Sequence, residues 1–239
     1  MTSTIPRNLR IKSWLELADL AAKCANGKWI FRGESVRLVG GGIIRNPLRP
    51  KAGRVGPEKG AARKTPHSVK HEERALDDFM RQARPHLGHT PNSPLEWLAI
   101  AQHHGMSTRL LDWTESLLVA AYFATTKVNT AVGLIYGLQN LRTLPNTSEK
   151  RPFVARQPGI YRPPHITPRI PAQRSVFTLH PDPTIDFNPT GLCEWFIAPS
   201  ACLEIKQVLD ACAINESSLF PDLDGLSRYL GWRYKWGKF

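Results

Sequence analysis

The chain has 239 residues, 41% hydrophobic and 22% charged, with four cysteines and a net charge of +12. That is an ordinary globular balance, long enough to bury a core without the help of a metal or a disulfide. The charge favours polyanions (nucleic acid, anionic lipid or an acidic protein) or serves solubility alone, and by itself it indicates no chemistry.

The first residues, Met1-Thr2-Ser3-Thr4-Ile5-Pro6-Arg7, are polar and lack the apolar core of a signal peptide. The longest apolar stretch, residues 117–124, falls short of the about 20 residues that a membrane span needs. A cytoplasmic protein with no membrane partner is expected. Cys24, Cys193, Cys202 and Cys212 show no Cys-x-x-Cys spacing, and no histidine falls in a zinc pattern. Free thiols and no metal follow.

Apolar periodicity over residues 14–24, with Ser13 as cap and Glu16 three residues on, predicts an opening helix. Trp29-Ile30-Phe31 reads as a short buried strand that delivers Arg32 at its carboxyl end. Residues 40–70 hold Gly40-Gly41-Gly42, prolines and many cations, and are expected to form a long basic loop. A helix is expected over 71–82. Ser93-Pro94-Leu95-Glu96 starts another, which stops at His104-Gly105. Residues 108–112 are read as a short connection, with Thr114 opening an apolar helix over 116–125. Strands are expected at 131–138, 175–179 and 194–198, and a helix capped by Ser200 at 201–213. Residues 142–171, rich in proline and cations, are read as mostly loop, and 220–225 as turns. Helices and strands mix without a βαβ rhythm, so the expected class is α+β. One domain over 1–239 is expected, with its core at about 14–230 and basic insertions at 40–70 and 142–171.

Three places carry candidate chemistry. Arg32 follows three bulky apolar residues and precedes Gly33. A buried, unpaired guanidinium would be costly, so Arg32 either grips a phosphate in its planar fork or pairs with an internal carboxylate such as Asp112. Gly33 would allow a ligand to approach the backbone closely. Residues 102–116 pack Gln102, His103, Thr108, Arg109, Asp112, Thr114 and Ser116 between two apolar helices. Polar groups so near a core must be satisfied by one another or by a ligand. Asp112, Thr114 and Ser116 are placed at a helix N-terminus, where free N–H groups hold anions or where one of these residues is simply a cap. A Ser-His-Asp hydrolase lacks its Gly-x-Ser-x-Gly elbow here. The third place is Gln173, at the entry to the strand at 175–179.

Trp29–Gly33, the run from Gln102 to Ala124, Ala172-Gln173 with Phe177, and the late Leu219-Phe220-Pro221-Asp222-Leu223-Asp224-Gly225-Leu226 resemble the signature of the FRG-domain family, named after its Phe-Arg-Gly. Ser107 stands where the family usually has proline, and Arg174-Ser175 where glycine is common. The order of motifs is also similar to that of mono-ADP-ribosyltransferases of the Arg–Ser–Glu type. That likeness implies a mixed β core flanked by helices, with long basic loops. It further implies NAD as the substrate, an NAD-dependent transfer, and a role as a toxin or phage-defence effector. Arg32, Asp112, Thr114 and Gln173 would then be catalytic. Arg32, Gly33, His103, Thr108, Arg109 and Ser116 would bind NAD. No Glu-x-Glu or Gln-x-Glu precedes the C-terminal strand, so Asp112, Gln173 and Glu194 are the candidates for the group that holds the ribose. The acceptor is expected to be nucleic acid, RNA favoured, held by Arg45, Arg49, Lys51, Arg54, Arg63 and Lys64, with an acidic antitoxin as a further partner. The competing expectation is a non-catalytic module that binds nucleic acid or a partner protein.

Overall fold

The computed structural model of the chain describes residues 5–25, 28–39, 42–44, 47–54, 67–127 and 131–237. It is an α+β fold built on one mixed sheet. The strands are β1 (Asn8–Ile11), β2 (Trp29–Val39), β3 (Gly42–Ile44), β4 (Leu110–Thr114), β5 (Ala131–Gln139), β6 (Gly159–Tyr161), β7 (Ser175–Leu179) and β8 (Cys193–Ile197). Their order is β1-β8-β5-β2-β4-β7-β6, with β3 hairpinned onto β2; β1 runs parallel to β8 and the other strand pairs are antiparallel. The helices are α1 (Trp14–Cys24), α2 (Val69–Ala83), α3 (Pro94–His103), α4 (Leu117–Ala124), α5 (Asn146–Lys150), α6 (Arg169–Gln173), α7 (Pro199–Ala211), α8 (Glu216–Leu219) and α9 (Leu223–Lys235).

Alternation along the central strands sorts the core into layers. Trp29 and Phe31 point to one face, where they meet Trp195 and the buried sides of α1, α4 and α7. Ile30 points to the other face and joins Trp113, Leu134, Tyr136 and Phe187. A third cluster, with Leu76, Leu95, Trp97, Phe177 and Leu179, seats α2 and α3 against β4 and β7.

Local signals place α1 and α3 well. Ser13 and Ser93 each accept a hydrogen bond from the backbone N–H three residues on, Glu16 and Glu96. Several expectations change. β2 does not stop at Arg32, because β5 offers a continuous partner from Trp29 to Arg37 and the ladder runs on through polar side chains. Residues 108–112 are no simple connection: Leu110 and Leu111 face opposite buried clusters, and the run forms β4 in mid-sheet. Asp112 and Thr114 therefore lie on a strand, and only Ser116 caps α4, accepting from Val119 N at 3.3 Å. α7 begins at Pro199 with Ala198 as its cap position, so Ser200 lies inside the helix. Asp222, within the expected turns, caps α9 by accepting from Gly225 N at 2.7 Å. Among residues 142–171, α5, β6 and the start of α6 replace part of the expected loop. Among the described residues, no helix is long and apolar enough to cross a membrane.

A candidate nucleotide cleft where the sheet splits

β2 pairs with β5 over nine positions and β4 with β7 over five, yet β2 and β4 pair only at Phe31 opposite Thr114. Beyond that point the two strands diverge. A cavity of about 380 Å³ fills the gap, lined on the strands by Arg32, Gly33, Asp112 and Thr114. Its size falls within the range of small-molecule sites.

Arg32 spans the split. Its Nη1 donates to the Asp112 carbonyl oxygen at 2.9 Å and lies 3.8 Å from Asp112 Oδ2. Its Nε is buried with no hydrogen-bond partner, so one donor of the fork is left over. Asp112 is the only carboxylate among the described residues that line the cleft. Its side chain is 48% exposed and accepts from Gln102 Nε2 at 2.9 Å. Gln102 is aimed in turn by Thr108, whose hydroxyl donates to Gln102 Oε1 at 2.8 Å and accepts from Leu110 N at 3.1 Å. Thr108 is buried and acts on the cleft only through Gln102.

His103 lines the cleft with its ring 5.4 Å from that of Phe177 and its Nδ1 buried without a partner. Burial, with Arg169 and His104 adding to it against Asp112, holds its pKa below the usual value, so the ring is neutral at pH 7. Thr114 also lines the cleft, with its hydroxyl donating to the Gln173 carbonyl at 2.7 Å and accepting from Ser116 N at 3.0 Å. Gln173, a further wall residue, donates through Nε2 to the Leu219 carbonyl at 2.9 Å.

Other expected site residues serve the fold. A Cβ on Gly33 would sit 1.8 Å from the Ala120 carbonyl oxygen, so this glycine makes room for α4 while its backbone lines the cleft. Arg109 is fully buried: Nε and Nη2 donate to Glu72 Oε2 at 2.9 and 2.5 Å, Nη1 donates to the Pro181 carbonyl at 3.1 Å, and the guanidinium lies over the Phe153 ring. Ser116 is a helix cap. Glu194 is on β8, separated from β2 by β5 and outside the cleft lining.

Of the basic residues, Lys51 lines the cleft. Arg49 donates to Asp186 at 2.7 Å, and Arg54 donates to the Arg49 carbonyl at 3.0 Å. Burial, and then Arg32 nearby, lowers the pKa of Arg54, which is partly buried. Arg45, Arg63 and Lys64 lie outside the described residues.

Sequence reasoning passed over Arg169 and Phe220, both of which line the cleft. Arg169 donates to the His103 carbonyl at 3.2 Å and to Asp222 at 2.5 Å, and lies over the Phe220 ring. The late motif from Leu219 onward held the signal for Phe220, but it read as a turn. Three cations, aromatic walls at Phe31, Trp113, Phe123 and Phe220, and one carboxylate make a cleft that suits an anionic, ring-bearing ligand. Among the described residues, no group of three or more His, Cys, Asp or Glu side chains could hold a metal ion.

Residues 27–132 match the family model described as the FRG domain, a span that includes Arg32, His103, Asp112 and Thr114. No curated protein and no solved structure matches the chain.

Proposed function

The chain carries an FRG domain over residues 27–132, and from that premise we propose that it is an NAD-dependent mono-ADP-ribosyltransferase acting on nucleic acid, RNA in the first place, as a toxin or phage-defence effector. The observation that carries this reading is the cleft at the sheet split. Its spare Arg32 donor, its Lys51 and Arg169 charges and its aromatic walls face a single half-exposed carboxylate, Asp112.

In the proposed reaction the bond between the ribose C1′ and the nicotinamide nitrogen breaks, and nicotinamide leaves with the bonding pair. A nucleophilic atom of the acceptor then bonds to C1′ and gives up its proton. Positive charge develops on the ribose in the transition state, so a carboxylate that accepts from the ribose hydroxyls favours it. Asp112, aimed by Gln102, fills that role, while Arg32, Lys51 and Arg169 would take the pyrophosphate. The net charge of +12 favours a polyanionic acceptor, and an acidic antitoxin would suit the same charge.

A second reading draws on the bonds that Arg32 makes to Asp112. If that contact is purely structural, the chain is a non-catalytic nucleic-acid or partner-binding module. Labelled NAD incubated with separate RNA, DNA and protein pools separates the two. The transferase reading expects label on RNA and release of nicotinamide. It also expects Asp112→Asn and Arg32→Ala to lose about 100-fold in transfer, with the Asp112→Asn melting temperature almost unchanged. Absence of NAD cleavage by the wild type, or undiminished transfer by Arg32→Ala, overturns it. Binding that is steeply salt-dependent without turnover supports the module.

A further inference from the structure

Residues 142–174 carry six arginines and one lysine against a single acid, Glu149. That is a net +6 on 33 residues of a chain whose whole net charge is +12. The cleft uses one of these cations, Arg169. Arg49 and Arg54, expected to hold an acceptor, are instead tied to Asp186 and partly buried, respectively. The segment 142–174 therefore holds basic character that the cleft itself does not employ.

The sheet places this charge beside the cleft. β6 lies next to β7 at the end of the sheet, with Tyr161 opposite Phe177. β7 meets β4 with Ser175 opposite Thr114, and both of these residues line the cleft. The end of β6 that leads into Arg162 is thus the cleft end. Arg162 Nε donates to Glu115 Oε1 at 2.9 Å, and Glu115 N donates to the Arg174 carbonyl at 3.0 Å. Arg174 itself stands between two cleft-lining residues, Gln173 and Ser175. Further along the edge, Ile160 N donates to the Arg142 carbonyl at 2.9 Å, which sets Arg142 beside β6, two residues or about 7 Å from Arg162. The Arg142 guanidinium donates to the Pro158 and Gln157 carbonyls at 3.2 and 3.3 Å, which hold it without neutralising it. Arg156 directly precedes Gln157. All four arginines are exposed, and among the described residues only Arg162 has an ion pair.

Exposed guanidinium groups therefore run from the cleft mouth along the outer edge of the sheet. Charges on an edge strand also deter pairing with another sheet, but that task needs no continuity with a cleft and lysine serves it well. The planar fork of arginine suits phosphate, and a row of forks suits a chain of phosphates. We propose that Arg174, Arg162, Arg142 and Arg156 form a track for the phosphodiester backbone of a single-stranded nucleic acid, flanking the nucleotide presented to the cleft. The track rests on the reading of the cleft as one that takes a nucleic-acid acceptor. An enzyme that acts on a nucleotide inside a cleft needs it out of the duplex, which favours the single strand. Contacts to phosphates position the strand and carry no sequence preference.

Fluorescence anisotropy of the full chain, without NAD, against a labelled single-stranded RNA of about 12 nucleotides and the DNA of the same sequence tests the track. The wild type is expected to bind both, more weakly as salt rises. Arg156→Gln alone, at an exposed site without an ion pair, should flatten the slope of log affinity against log salt by about 0.7. Arg156→Gln combined with Arg174→Gly should flatten it by about 1.4, with no fall in melting temperature. Arg10→Gln combined with Lys12→Gln, at the β1 edge on the far side of the sheet, removes the same charge and should leave the slope as it is. A wild type that binds neither strand, or an equal flattening by the β1-edge pair, overturns the track. A polyglutamate peptide of the same length that displaces the RNA equally well overturns nucleic acid as its occupant. A chain that binds RNA in this way but never cleaves NAD sinks the transferase reading and leaves the track standing.

Discussion

At the sheet split, Arg32 keeps a buried Nε without a partner and faces a carboxylate that is half open to solvent. Beneath α3, Arg109 has a bond for each guanidinium nitrogen and a carboxylate partner, Glu72, that is 9% exposed. Both arginines sit beside apolar residues in the motifs, yet one has a buried nitrogen without a partner and the other a bond on every nitrogen. A guanidinium that completes its own network holds the fold together, whereas one left incomplete next to a cavity is available to a ligand.

The largest effect should come from breaking the completed pair. Arg109→Ala leaves Glu72 buried with only the His67 ring, 3.4 Å away, beside its carboxylate, and stability in urea is expected to fall by about 3–5 kcal/mol. Arg109→Met with Glu72→Leu should recover most of that loss. Arg32→Ala removes a hydrogen bond and a long, partly solvated ion pair, so it should cost only about 1 kcal/mol. Equal losses from Arg32→Ala and Arg109→Ala in urea melts would erase the distinction between the two regions.

The second effect separates the buried layer from the cleft by pH. Trp113 Nε1 donates to Thr178 Oγ1 at 3.0 Å, and the Thr178 hydroxyl shares a 2.8 Å hydrogen bond with His180 Nε2. Burial pushes the His180 pKa down to about 4. The unfolded chain takes up this proton near pH 6.5 and the folded one refuses it, so stability is full above pH 6.5 and declines as pH falls from 6.5 toward 4. The loss can reach about 3 kcal/mol. Urea midpoints at pH 7, 5 and 4 should show it, and His180→Gln should flatten that part of the slope. A variant that keeps the wild-type slope would remove His180 as the cause.

The smallest effect lies at the cleft rim. Arg174 adopts φ 46°, in the left-handed region that glycine enters freely. It stands between Gln173 and Ser175, which both line the cleft. Arg174→Gly should relieve strain of about 1 kcal/mol, offset in part by the greater freedom of the unfolded chain. A thermal melt that rises slightly supports this, and a clear fall contradicts it.

Much of the local structure was legible. The helix expected over residues 14–24 and the strand expected over 175–179 coincide with α1 and β7, because a cap or a β-rich run settles each within a few residues. β4 was not, since an apolar run as short as Leu110-Leu111 fits a strand, a loop edge or a helix start equally well. α9 was hidden by Pro221, Asp222 and Gly225, which form its start and its seat but read as turn residues. Arg169 was passed over because nothing near it in sequence is apolar and periodic, and its partners, His103 and Asp222, lie far away along the chain.

The amino-acid sequence by itself determined the caps, the buried alternation and the concentration of polar groups at Arg32 and residues 102–116. It could not decide which of those groups would remain available. Arg109 is completed by Glu72, 37 positions earlier on α2, while Arg32 opens on a cavity that exists only because β2 and β4 part after one pair. Whether a buried charge is satisfied depends on partners brought together by long-range packing, and no local pattern encodes them.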